Sequence, residues 1–172
     1  MALSIADISL RGLNFVFLVI VLGLTGSLIA GQSRHNPQVN FALFAAVFGL
    51  VTSSFYGIIA NFVSFLAWPL VIFIIDFLNF VFTFAGATAL AVAIRTHSCT
   101  NQSYLDDNKV TQGSTDRCRK AQAVVAFLYF SFFTFLASLV FSSYSLLSGG
   151  AFGTRVSRRS APKTGIPTIS TV

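Results

Sequence analysis

From Asn36 to Ile75 the chain carries no charged side chain. A bilayer core of about 30 Å is crossed by about 20 residues of helix at about 1.5 Å per residue, so this stretch is too long for one crossing. Its break falls between Asn61 and Pro69, where Trp68 suits the headgroup level and Pro69 suits a first helical position. Two spans result, residues 41–63 and 69–94, joined by a short turn as an antiparallel hairpin. Another charge-free run, residues 13–31, lies behind Arg11, which stops it on one side, and a last one, residues 121–147, follows Arg117, Arg119 and Lys120 and ends at the Gly149-Gly150 pair. A cleaved signal peptide is the alternative for the first run. Such a peptide has an apolar region of about 7 to 15 residues, and here the run is longer, with Leu28 at minus three from a cut after Ala30.

Composition closes off the soluble alternatives. Only 9% of the 172 residues are charged, there is no Glu, and the mean hydropathy is +0.79, which leaves too little polar surface to clothe a water-soluble domain. The expected fold is an all-α integral membrane protein, a four-transmembrane-helix bundle over residues 7–148 with a basic tail at 149–172. An even number of crossings puts both termini on one side.

The Lys/Arg balance does not choose that side. Arg11, Arg155, Arg158, Arg159 and Lys163 lie on the terminal face, and Arg34, Arg95, Lys109, Arg117, Arg119 and Lys120 on the other. Residues 95–120 decide instead, because this loop holds both cysteines, Cys99 and Cys118, and the glycosylation sequon beginning at Asn101. A disulfide there would contribute about 3 kcal/mol by loop-closure entropy and would persist only in an oxidising compartment. Two free buried thiols are the alternative reading, whereas zinc binding by Cys99, Cys118 and His97 lacks a fourth ligand. The termini are therefore expected in the cytoplasm.

Helices in lipid associate by close packing, which small residues four apart permit. Gly23, Ser27 and Gly31 form one such row, Ala45, Gly49, Ser53 and Gly57 a second, and Ala85, Ala89 and Ala93 a third. The 20 Phe are spread over all spans and are expected to face lipid. Asp76 is different in kind, since a mid-helix charge costs about 2.5 to 3.5 kcal/mol on the insertion scale. It should face protein. Asn79 and Thr83 share its stripe, and a hairpin turning near residue 65 sets Asp76 level with Ser53 and Ser54, with Tyr56 a turn below. A largely neutral acid in a hydrogen-bond network is the expectation, acting as an interhelical clamp rather than a proton relay. The two histidines, His35 and His97, have no paired acid, and neither a phosphate loop nor a nucleophile elbow occurs, so no enzyme activity, cofactor or metal is expected.

Several segments together carry a resemblance: residues 76–84, reading Asp-Phe-Leu-Asn-Phe-Val-Phe-Thr-Phe; residues 94–99, reading Ile-Arg-Thr-His-Ser-Cys; Gln112-Gly113; Arg117-Cys118-Arg119; and the ending from Gly165 to Ser170. In these and in its four spans the chain resembles fungal MARVEL-domain proteins of the non-classical export group over nearly its whole length. The resemblance implies a plasma-membrane protein that gathers in furrow-like eisosome compartments, organises them in response to sphingolipid status, and is linked to unconventional protein secretion. Expected partners are anionic lipids, sphingolipids, further copies of the chain and other proteins of the same compartment, with no nucleic acid among them. The tail adds a physical reason: Arg155, Arg158, Arg159 and Lys163 stand there without an acid, each adding about 1 kcal/mol of attraction to an anionic leaflet. Phosphorylation of Ser160 would weaken that attraction. The rival reading is a small transporter or channel subunit with Asp76 on a polar path.

Overall fold

A computed structural model describes residues 2–56, 59, 69–95 and 97–149. Gly57, Ser160, Arg155, Arg158, Arg159 and Lys163 lie outside the described residues, as does the side chain of Ser54. Long helices α1 (Ala2–Ala30), α3 (Pro69–Ile94) and α5 (Thr115–Gly149) accompany the shorter α2 (Pro37–Gly49) and the loop helix α4 (Gln102–Asp107). α2 continues as a π-helical segment, Leu50–Tyr56. Three of these helices are long and apolar enough to cross a membrane, within Ile5–Ala30, Leu70–Ile94 and Thr115–Tyr144, and Pro37–Ser53 is a shorter apolar helix.

The helix starts follow from local chemistry. Asn36 caps α2 by accepting from the Gln38 and Val39 amides at 3.1 and 3.4 Å, and Pro37 takes the first turn, where its missing N–H costs nothing. Asn101 does the same for α4 through the Tyr104 amide, and Ser114 for α5 through the Arg117 amide. At its far end α1 leaves carbonyls without helical partners, and the Arg117 guanidinium donates to one of them, Leu28 O, at 2.9 Å. α1 also begins earlier than the apolar run suggests. Arg11 does not stop the first span but lies inside the helix, because the bundle encloses it beside Asp76 and the partly exposed Asp7, one turn before it, pairs with it at 3.1 Å.

α1, α2, α3 and α5 form a closed ring of neighbours, α1 on α2, α2 on α3, α3 on α5 and α5 on α1. Pairings across the ring show antiparallel neighbours: Asn79 meets Thr52 while Gly86 lies under Ala45, and Asn14 meets Thr134 while Leu28 meets Arg117. Leu18, Val21, Leu28, Ala42, Ala46, Leu90, Ile94, Val124, Leu128 and Phe135 fill the centre. Phe135 is thus an exception to the lipid-facing role expected of the phenylalanines, while Phe15, Phe55, Phe77 and Phe133 are exposed.

The small-residue rows divide. Ala45, Gly49 and Ser53 are buried, and Gly49 allows a close approach: a Cβ there would lie 2.7 Å from Leu18 Cδ1 and 3.2 Å from Asn79 Oδ1, so the ends of those side chains would have to shift. Ala85, Ala89 and Ala93 are half-buried, flanking Gly86, Ala87 and Leu90, which are buried or nearly so. Gly23 and Ser27 lie on the exposed side of α1 and Gly31 just past its end; nothing comes within 4 Å of a Cβ built on Gly23, whereas Ser27 accepts from Lys120 of α5 at 3.0 Å and a Cβ on Gly31 would lie 3.3 Å from Arg117 Nη1. The packing face of α1 is instead Leu18, Val21, Thr25 and Leu28. A four-residue spacing is the same on either side of a helix, so it does not tell which side meets a neighbour.

Candidate functional site

The buried charges meet at one point. Asp76 on α3 is 0% exposed and Arg11 on α1 is 1% exposed, and the guanidinium fork reaches both carboxylate oxygens, Nη1 to Oδ1 at 3.4 Å and Nη2 to Oδ2 at 3.3 Å. Arg11 Nε donates to Asp7 at 3.1 Å, and Nη1 also reaches the carbonyl and hydroxyl oxygens of Ser53 at 3.5 and 3.3 Å. Ser142 of α5 donates to Asp76 Oδ2. One node therefore draws on all four elements of the ring: Arg11 from α1, Ser53 from the α2 continuation, Asp76 from α3 and Ser142 from α5.

This differs from the sequence expectation in its partners. Asp76 is bound by a guanidinium rather than by hydroxyls of the neighbouring span, and Ser53 accepts from Arg11 instead of donating to Asp76. The physical reason is charge: a guanidinium presents two donors that match both carboxylate oxygens, a charge-assisted bidentate geometry that single hydroxyls do not offer. Tyr56 closes the π-helical segment and is half-buried. The π-helical turns also have a role here. They shift the helical hydrogen-bond pattern, and such bulges are commonly found at functional sites. The Ser53 carbonyl they carry is in reach of Arg11.

One layer deeper, Asn79 donates to Thr52 Oγ1 at 2.9 Å and to Ile75 O at 3.0 Å, and Thr83 donates back to Asn79 O at 2.7 Å. Thr134 on α5 donates to Asn14 Oδ1 on α1. Asn14 Nδ2, Asn79 Oδ1, Ser131 Oγ and Ser138 Oγ are buried and have no hydrogen-bond partner among the described residues. Beyond Thr83 and Ser131 the interior is mostly apolar, with Val21, Leu28, Ala87, Leu90, Val124 and Leu128, and the buried Thr25 there spends its hydroxyl on Val21 O of its own helix at 2.7 Å. The interhelical polar contacts thus occupy one half of the bundle and give way to a mostly apolar half. Chemically, both ionic partners are engaged, and their contacts tie together the four elements of the ring.

At the opposite end, Cys99 and Cys118 are joined as a disulfide with a Cα–Cα distance of 5.7 Å, which uses both sulfurs that a zinc site would need. Leu105 and Tyr104 pack on it. Tyr104 donates to Ile94 O, and Asn108 donates to Ala93 O at 2.8 Å, so the last carbonyls of α3 are capped by the loop. Burial pushes the Tyr104 phenol above its ordinary range. Asn101 is exposed, and its side-chain oxygen caps α4. Among the described residues no group of three or more His, Cys, Asp or Glu stands where it could hold a metal ion.

Asp7, Arg11 and Ser142 are members of the network that the sequence expectation does not include. Each leaves a signal. Asp7 and Arg11 stand four apart, the spacing of a helical ion pair, so α1 could be extended back through Arg11. Ser131, Ser138 and Ser142 share one face of the last span by their spacing of seven and four.

A ring of apolar helices around a buried ion pair defines a multi-pass helical membrane protein. Likeness to known proteins gives the family. Residues 4–141 match the membrane-associating (MARVEL) domain. The chain is 64% identical over 171 residues to Non-classical export protein 102 of Candida albicans and 55% identical over 172 residues to Non-classical export protein 2 of Saccharomyces cerevisiae, covering 99% of this chain and 99% of each relative. It is 38% identical over 123 residues to Non-classical export protein 2 homolog of Schizosaccharomyces pombe, covering 70% of this chain and 67% of that one. No solved structure matches it. The chain belongs to the MARVEL-domain family and, within it, to the fungal non-classical export proteins.

Proposed function

We propose that the chain is a plasma-membrane organising protein that helps form or maintain furrow-like eisosome compartments, responds to sphingolipids, and is linked to unconventional secretion. The observation that carries this reading is the full-length likeness to relatives named for non-classical export, on a bundle whose buried charges neutralise one another. Clustering with further copies, with other proteins of the compartment and with anionic lipids and sphingolipids is part of the same reading.

The proposed topology has four crossings with both termini in the cytoplasm. With Arg11 inside the bundle, it no longer counts as a charge flanking the membrane, so the Lys/Arg balance does not support this orientation. Support comes from the Cys99–Cys118 disulfide, which needs the oxidising face. The basic tail would then lie against the inner leaflet.

Imaging of a tagged copy in cells tests the organising role. Patchy clusters at the plasma membrane that redistribute on sphingolipid depletion are expected, and an even distribution insensitive to sphingolipid would overturn it. The polar seam is the one feature that favours a transporter or channel subunit. Its dead end at Leu18, Leu90 and Leu128 argues for the clamp, so flux of protons or small solutes in proteoliposomes should be flat. A robust flux abolished by Asp76→Asn would reverse the assignment.

A further inference from the structure

A polar cavity of about 380 Å³ opens where α3 ends and α2 begins, between Arg95, Ala93, Asn36 and Gln38 on one side and Tyr104, Asp107, Asn108, Lys109 and Val110 of the loop on the other. Its wall is built from groups already engaged. The Asn36 side chain accepts from the Gln38 and Val39 amides, Tyr104 and Asn108 hold the α3 carbonyls, and Asn108 Oδ1 accepts from the Val110 amide at 2.8 Å.

The charged groups on its rim are not engaged. Arg95, Lys109 and Asp107 make no ion pair among the described residues, and the Gln38 side-chain amide makes no hydrogen bond there. Arg95 also has φ of 49°, a left-handed conformation that glycine adopts more cheaply at the end of a helix, yet a guanidinium stands there. The cavity lies level with the last turn of α3 and the first turn of α2, where the four-crossing topology proposed above would put the headgroup layer.

We infer that this cavity is a binding site for the headgroup of a zwitterionic phospholipid, with Arg95 and Lys109 on its phosphodiester and Asp107 on its ammonium. Two cations and one acid around a single cavity match a phosphate and an amine held a few ångströms apart. At that depth a membrane lipid presents the phosphate at high local concentration while its chains stay in the bilayer. The site does not depend on the organising role proposed above: it is read on purified protein, whereas clustering is read in cells, so each fails separately.

The test uses the full chain purified in an uncharged maltoside detergent and scored by native mass spectrometry for retention of a short-chain phosphatidylcholine. Retention of one lipid per chain is expected, with no retention of a diacylglycerol of the same chain length. Arg95→Gln with Lys109→Gln should weaken retention at least about tenfold, the size of one charge-assisted hydrogen bond, while Arg119→Gln, an exposed cation in the first turns of α5, should leave it unchanged. Asp107→Asn should shift preference from phosphatidylcholine toward phosphatidylglycerol, and an unchanged preference overturns the ammonium contact. Equal retention of diacylglycerol, retention unaltered in the double variant, or an equal loss in Arg119→Gln overturns the site. Displacement by inorganic phosphate at concentrations matching the lipid overturns the lipid assignment in favour of free phosphate.

Discussion

The two ends of the bundle are held together in different ways. Toward the termini, Arg11, Asp7, Ser53, Asp76 and Ser142 join the four elements by directional contacts inside the apolar surround. Toward the loop face the interior is Leu28, Leu90, Ile94, Val124 and Leu128, and what fastens it lies outside: the disulfide, Arg117 on Leu28 O, and Tyr104 and Asn108 on the end of α3. The contrast teaches something about lipid as solvent. Burial of apolar surface alone does not draw helices together there, so neighbours are chosen by close packing at small residues such as Gly49 and Gly86, by polar groups within the membrane and by cross-links beyond it.

The largest way to break this contrast is to remove one charge. Arg11→Ala or Asp76→Ala leaves its partner buried and unpaired, and a loss of about 3 to 5 kcal/mol is expected in unfolding from detergent. A loss below about 1 kcal/mol in either would mean that the polar end is not what holds the ring. Next is the covalent clamp. Cys99→Ala with Cys118→Ala should cost about 2 to 4 kcal/mol, and hydrogen exchange should rise in α4 and the ends of α3 and α5 before it rises near Arg11. Uniform exchange along the helices would erase the distinction between the two ends.

Packing substitutions sharpen the comparison. Gly49→Ala forces a Cβ to within 2.7 Å of Leu18 Cδ1, and a loss of about 1 to 3 kcal/mol is expected as Leu18 shifts. Gly23→Ala meets nothing within 4 Å and should be neutral or stabilising by up to about 1 kcal/mol through helix propensity. Equal effects at the two glycines in thermal unfolding would show that Gly23 also packs.

Much of the plan is legible in the amino-acid sequence alone. The charge-free runs give the long helices, and Asp76, Asn79 and Thr83 at steps of three and four give the inward face of α3. Two things are not legible there. An arginine at the edge of an apolar run reads as a boundary, because the buried acid that pairs with it lies in another helix and only the fold brings Asp76 to it. Rows of small residues are alike in sequence whether they meet a helix or lipid, and the sequence carries no mark that separates Gly49 from Gly23. The cavity at Arg95 is hidden for a third reason: its rim comes from α2, α3 and the loop, with residues 36 and 109 brought together from far apart in the chain.

The central claim is that Arg11 and Asp76 act as one unit. A double-mutant cycle with Arg11→Met and Asp76→Leu, read by unfolding in a mild detergent, measures that directly. The account predicts that the double variant is more stable than the worse single variant, because neither charge is left alone in the interior. Additive losses, with the double variant destabilised by the sum of the two singles, would contradict it.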